Sequence, residues 1–351
     1  MFTDDSILLR DYFFPRITLK NSTDLDKLYK HLQSIHRLPI HITNFKENKE
    51  RKEVRIQSGY APQKILKKVY TLKKSSTSFL IDHLKCTLNI YDYSENSNQK
   101  FIDNIIGTIQ YVASLSKIII SQLDINLYLL NDKKKVDISM KQLGKEEINS
   151  GSCLRGDTTV ITIYRKEEVM KVVIHELIHA FQYDDFVDTP QIIKHYQKKY
   201  NISSQEINTN EAYTEIWANI INCYLISQKV KRSQYNLFLV LIALEKVFVE
   251  FQTNKVIFLT NLQKQKIDIN KDTNVLSYFI IRNELYLRLN AFLKFCKTKN
   301  KDYIKLTQKE KWFEFIKKNK LVKGNNKRFN KIKKTDFLFT TMRMTLNEIH
   351  S

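Results

Sequence analysis

Only six glycines and four prolines interrupt 351 residues. These two residue types supply most of the tight turns and strand bulges of an all-β chain, so their scarcity favours long helices. Hydrophobic residues make up 42 % of the sequence, enough for a substantial core, and the length suits one large domain or two ordinary ones. No internal repeat is present.

Strand patterns nonetheless appear in the middle of the chain. LKCTLNIYDY (84–93) alternates apolar and polar residues, DINLYLLN (124–131) reads as a strand, and TTVITIYR (158–165) is rich in β-branched residues. Helical spacing marks 22–35, 98–117, 166–185 and 209–227, and further helices are predicted near 233–251, 275–296 and 308–318. Two acids, Glu167 and Glu168, are expected in the first turn of the 166–185 helix, where they suit its dipole. This order predicts an α+β fold, a mixed sheet backed by helices and followed by a helical C-terminal part. The domain expectation is a basic N-terminal region over 1–80, a core over 81–230 and a helical, strongly basic part over 231–351. KENKERKEVR (46–55) reads as a solvated loop or helix face.

The formal charge is +21. Such a charge favours acidic partners, nucleic acid among them, although an AT-rich coding sequence also enriches lysine with no partner in view. From Lys294 to Lys334 there are 16 Lys or Arg against 3 acids. Tyr303, Trp312, Phe313, Phe315 and Phe329 interleave with these lysines, a pattern that fits either a stacking surface for nucleic acid or an amphipathic helix with a solvated lysine face. Cys86, Cys153, Cys223 and Cys296 are scattered without a CxxC pair, which suits a reducing compartment. The N-terminal stretch lacks a signal-peptide pattern, and the strongest apolar run, LFLVLIAL (237–244), is too short to span a bilayer. An intracellular, cytoplasmic or nuclear protein without a membrane span is expected.

Against this background VVIHELIHAFQYDD (172–185) stands out: His175, Glu176 and His179 lie in an almost wholly apolar helix. Ionisable groups in a buried helix are costly unless paired, hydrogen-bonded or bound to metal. Positions i and i+4 share a helix face, so both imidazoles can reach one ion at ~2.0–2.1 Å. Glu176 points to the side, where it suits a base for a water rather than a ligand.

A third ligand has two addresses. Asp185 lies ten residues after His175, but that route needs a sharp turn at Gln182, where no glycine stands. NEAYTE (210–215) opens the next helix and sets Glu211 and Glu215 on one face. Glu211 can bind the ion while Glu215 orients a ligand histidine. A competing explanation for Glu211 is a capping box with Asn208. His195, in KHYQKKY, reads as an exposed linker residue. GSCLRGDT (151–158) lacks the lysine and following helix of a phosphate loop.

HELIH (175–179) followed by NEAYTE resembles the gluzincin clan of zinc metallopeptidases, the thermolysin-like pairing of HExxH with a glutamate helix. The two motifs span 41 residues, 175 to 215. The resemblance implies a zincin-like sheet, a Zn²⁺ cofactor held by His175, His179 and Glu211, Glu176 as catalytic base, and Asn210 and Glu215 in support. It implies a peptide or protein substrate, with TTVITIYR as the edge strand along which substrate lies. Tyr278, Tyr213 and Arg282 are the candidates for steadying the oxyanion. The rival reading is a zincin fold without catalysis, or a basic nucleic-acid-binding or scaffold protein.

Overall fold

A computed structural model describes the chain apart from residues 20–21, 47–58, 60, 94–97, 137–141, 326–328, 330 and 351. The basic segment 46–55 thus lies almost wholly outside the described residues. The strands are β1 (Ile40–Lys46), β2 (Lys73–Ile81), β3 (Leu84–Asp92), β4 (Gln122–Tyr128), β5 (Gly151–Leu154) and β6 (Thr159–Ile163). The helices, in chain order, are α1 (Asp4–Phe13), α2 (Thr23–Ser34), α3 (Gln63–Leu66), α4 (Gln99–Ala113), α5 (Lys145–Ile148), α6 (Val169–Ala180) and α7 (Pro190–Tyr200). They continue as α8 (Thr209–Ser227), α9 (Gln234–Thr260), α10 (Arg282–Leu287), α11 (Leu289–Lys299), α12 (Lys309–Lys317) and α13 (Phe337–Thr340). A π-helical turn, Leu276–Ile281, precedes α10.

The chain divides into two compact units that are each discontinuous in sequence. A sheet unit takes Ser34–Lys133 and Asn149–Tyr183, and a helical unit takes Met1–Gln33, Lys134–Ile148 and Asp184–His350. In these units β1 and β2 group with the sheet, and α1 and α2 with the helices.

The sheet has six strands in the order β1-β2-β3-β4-β6-β5. The first three are antiparallel neighbours, β3, β4 and β6 run parallel, and β5 closes the far edge antiparallel to β6. Alternation in β3 puts Leu84, Cys86, Leu88 and Ile90 on one buried face, and toward its end Asn89 and Tyr91 are buried on the other. The β2–β3 loop is two residues long, with Asp82 in the left-handed region. α4 buries Phe101, Ile102, Ile105, Ile106 and Ile109, a 3.6-period stripe. α6 packs against α4 and against β5 and β6.

In the helical unit the last residues form no regular element, so side chains must satisfy the backbone polar groups they bury. Glu245 accepts the backbone N–H groups of Leu346 at 3.0 Å and Asn347 at 3.1 Å. Gln252 donates to the Arg343 carbonyl at 2.7 Å, and Lys255 to that of Thr341 at 2.6 Å. Among the described residues no helix is long and apolar enough to cross a membrane.

Candidate metal centre

In the sheet unit, α6 begins at Val169 after Glu168, which sits in the left-handed region at φ 61°. No acid lies in the first turn, so Glu167 and Glu168 precede the helix instead of complementing its dipole. His175 and Glu176 are each 5 % exposed and His179 is 9 % exposed. The two Nε2 atoms lie 3.0 Å apart, with the rings nearly perpendicular at 77°. Two nitrogens bound to one tetrahedral ion at ~2.0–2.1 Å stand about 3.3 Å apart. The observed pair is within a few tenths of an ångström of that, so the residues fit a zinc ion. The same separation also suits one N–H···N hydrogen bond between neutral imidazoles, which makes metal content the deciding measurement.

Glu176 has a neighbour that the sequence did not single out. A Cβ at Gly151 would lie 2.8 Å from Glu176 Oε1, 3.1 Å from Val172 Cγ1 and 3.2 Å from the Thr162 carbonyl oxygen. Gly151 opens β5, so the carboxylate rests over the first residue of the edge strand. That edge is a correction to the sequence reading. TTVITIYR supplies β6, which pairs on both sides, with β4 and with β5. The free edge is GSCL, four residues with no fully buried side chain. Cys153 stands on it, half-buried and not in the core.

The exit of α6 overturns a second expectation. Gln182 takes φ 56°, so the chain makes its left-handed turn without glycine. Tyr183 N–H donates to the Ile178 carbonyl at 3.1 Å and Gln182 N–H to that of His179 at 3.1 Å, the paired bonds of a Schellman end. The Tyr183 hydroxyl then donates to the carbonyls of Val112 at 3.0 Å and Ser116 at 3.1 Å. These bonds offset the ~1–2 kcal/mol that a non-glycine residue spends in that region. The turn therefore does not argue against Asp185, but Asp185 itself is exposed.

In the helical unit, Glu211 lies half-buried in the first turn of α8. Asn208 at the N-cap has φ 57° and makes no side-chain cap bond. Its amide donates to Asn274 Oδ1 at 2.9 Å, which removes the Asn208 half of the capping box. The cap comes from Asp188, which accepts the N–H and the hydroxyl of Thr209, each at 2.6 Å. Burial raises the Asp188 pKa, and these two bonds pull it back down. Asp188 left no signal in the sequence, because it stands 21 residues before Thr209, the first residue of the helix it caps.

The remaining predicted residues are engaged inside the same unit. Glu215 is 2 % exposed and meets Arg282 at 3.1 Å. Arg282 also donates to the Met344 carbonyl at 2.8 Å. Asn210 donates to Asp184 at 3.5 Å, and Thr214 to the same oxygen at 2.8 Å. Tyr213 is fully buried; its hydroxyl donates to the Ile304 carbonyl at 2.5 Å and accepts from Asn300 at 2.7 Å. That burial pushes its pKa up. Tyr278 is half-buried on the π-helical turn. His195 belongs to α7 and not to a linker. Burial first, then the charges of Lys199 and Lys317, lower its pKa.

Of the five aromatic residues of the basic stretch, Tyr303 is half-buried and the other four are buried. Trp312, Phe313, Phe315 and Phe329 are all buried, packed edge-on or face-on against one another and their neighbours. In α12 the buried residues are Trp312, Phe313, Phe315 and Ile316, and Lys309, Lys311 and Lys317 are exposed.

Searches against known protein families, curated proteins and solved structures return no match.

Proposed function

We propose that the chain is a zinc-dependent peptidase of gluzincin type, with His175, His179 and Glu211 as metal ligands and Glu176 as general base. The observation that carries the reading is the His175–His179 pair, its Nε2 atoms 3.0 Å apart on a buried helix.

A bound zinc ion would supply Lewis acidity, polarising a scissile carbonyl and lowering the pKa of a water. The chain's own part is proton transfer and positioning. Glu176 takes a proton at its carboxylate and passes it to the leaving amine. Gly151 keeps space for that carboxylate beside the edge strand. A substrate peptide lies along β5, the strand that ends the sheet on this side, by strand addition. The proposal keeps Tyr278 for the oxyanion, because it is half-buried where Tyr213 and Arg282 are fully buried. The proposal keeps Glu215, which pairs with Arg282 at 3.1 Å, in its supporting role. The buried thiols of Cys86, Cys223 and Cys296 support an intracellular, reducing setting.

The test is cleavage of a mixed peptide library by the zinc-loaded protein and by Glu176→Gln. Discrete cleavage by the wild type, lost in Glu176→Gln with zinc retained, is expected. A zinc-loaded wild type that leaves the library intact would move the protein to the non-catalytic reading.

A further inference from the structure

Within the helical unit a half-open groove of about 470 Å³ runs between the segment that joins α1 to α2, the middle of α9, and the start of α11. Its floor is aliphatic, with Leu25, Ile242, Val247 and Leu289 among its lining residues. Leu19 and Leu287 stand at the mouth, 56 % and 52 % exposed.

The charged residues of the groove are all basic. Arg16, Lys246 and Arg288 line it, and no Asp or Glu does. None of the three makes an ion pair among the described residues. Arg16 donates to the Tyr12 carbonyl, with its guanidinium 4.0 Å from the Tyr12 ring. Arg288 donates to Asn319 Oδ1 at 2.6 Å and to the Phe315 carbonyl at 3.4 Å. Lys246 is exposed. Neutral partners fix the two guanidinium groups in place while leaving their charge uncompensated, which prepares them for an anion.

We propose that this groove binds a single-chain amphiphile with an anionic head. The acyl chain lies on the aliphatic floor, and the carboxylate or phosphate sits among Arg16, Lys246 and Arg288. The volume falls in the ~300–1,000 Å³ range of small-molecule sites. The lining of 15 residues is smaller than the roughly 20–30 residues per side of a stable protein interface. An aliphatic wall with a cationic rim matches the two ends of such a molecule, and it does so independently of the metal reading.

Isothermal titration of the full chain with laurate, dodecyl phosphate and dodecanol, each kept below its micelle threshold, tests the proposal. One saturable site for the anions is expected, with dodecanol at least tenfold weaker. Lys246→Glu should weaken both anions at least tenfold and leave dodecanol unchanged. Leu19→Asp should weaken all three. Both substitutions fall on exposed side chains, and circular dichroism checks that the fold is kept. The tighter of the two anions identifies the head group. Absence of saturable binding, or equal affinity in wild type and Lys246→Glu, would overturn the proposal. So would an acidic amphipathic peptide that binds saturably where neither anion does, which would assign the groove to a protein partner.

Discussion

A methyl group at position 151 would press on Glu176 Oε1, on Val172 and on the Thr162 carbonyl at once. Val172 and the sheet backbone are fixed by packing, so the Glu176 side chain is the one that must move. Gly151→Ala should therefore lower kcat at least tenfold while leaving zinc content and melting temperature close to wild type. Glu176→Gln should cost roughly 10²–10⁴-fold, the usual contribution of a positioned base. Steady-state kinetics on the best library peptide, with metal analysis of each variant, checks both. A second residue-scale effect concerns Glu245. Burial pushes its carboxyl above the usual range, more than the bonds from Thr345 and Asn347 and the Arg282 charge lower it. The folded chain then holds a proton that the unfolded chain releases. Its contribution to stability is full below about pH 4.3, the ordinary Glu value, and is lost as pH rises toward the folded value. Wild type should accordingly lose stability relative to Glu245→Gln as pH is raised from about 4 to 7, read from urea unfolding at each pH.

At the scale of elements, α8 depends on two side chains outside its own sequence. Asp188 caps its first residue, and Asp188→Ala should cost about 1 kcal/mol in urea unfolding. Arg282 neutralises Glu215 at 0 % and 2 % exposure. Arg282→Ala leaves a buried carboxylate unpaired and should cost about 3–5 kcal/mol, a loss that Glu215→Gln on the same background should partly restore. These dependencies also explain what the sequence made legible. α4, α6, α8 and α9 announce themselves through apolar spacing, and β3, β4 and β6 through alternation or β-branched runs. β2 escapes because KKSSTSFLI is polar over its first half, its apolar residues gathered at one end. β5 escapes because four half-exposed residues carry no pattern. The left-handed turn at Gln182 escapes because tertiary hydrogen bonds, through Tyr183, hold a conformation that local preference disfavours.

For the whole molecule, the division into units was the least legible feature. Each unit gathers segments that lie far apart in sequence, so composition shifts along the chain mark neither boundary. HELIH was legible because its three polar residues break an apolar run; the ligand role of Glu211 rested on pattern alone. The basic C-terminal stretch also had two readings, and burial of Trp312, Phe315 and Phe329 favours the amphipathic helix. The central claim remains that His175, His179 and Glu211 hold one zinc ion. Elemental mass spectrometry on protein purified without added metal, for wild type, His175→Ala, Glu211→Ala and Asp185→Ala, tests it most directly. The account predicts about one zinc per chain in wild type and in Asp185→Ala, and loss of zinc in His175→Ala and Glu211→Ala. No zinc in wild type even after repletion would contradict it, leaving the 3.0 Å contact as a hydrogen bond between two buried imidazoles.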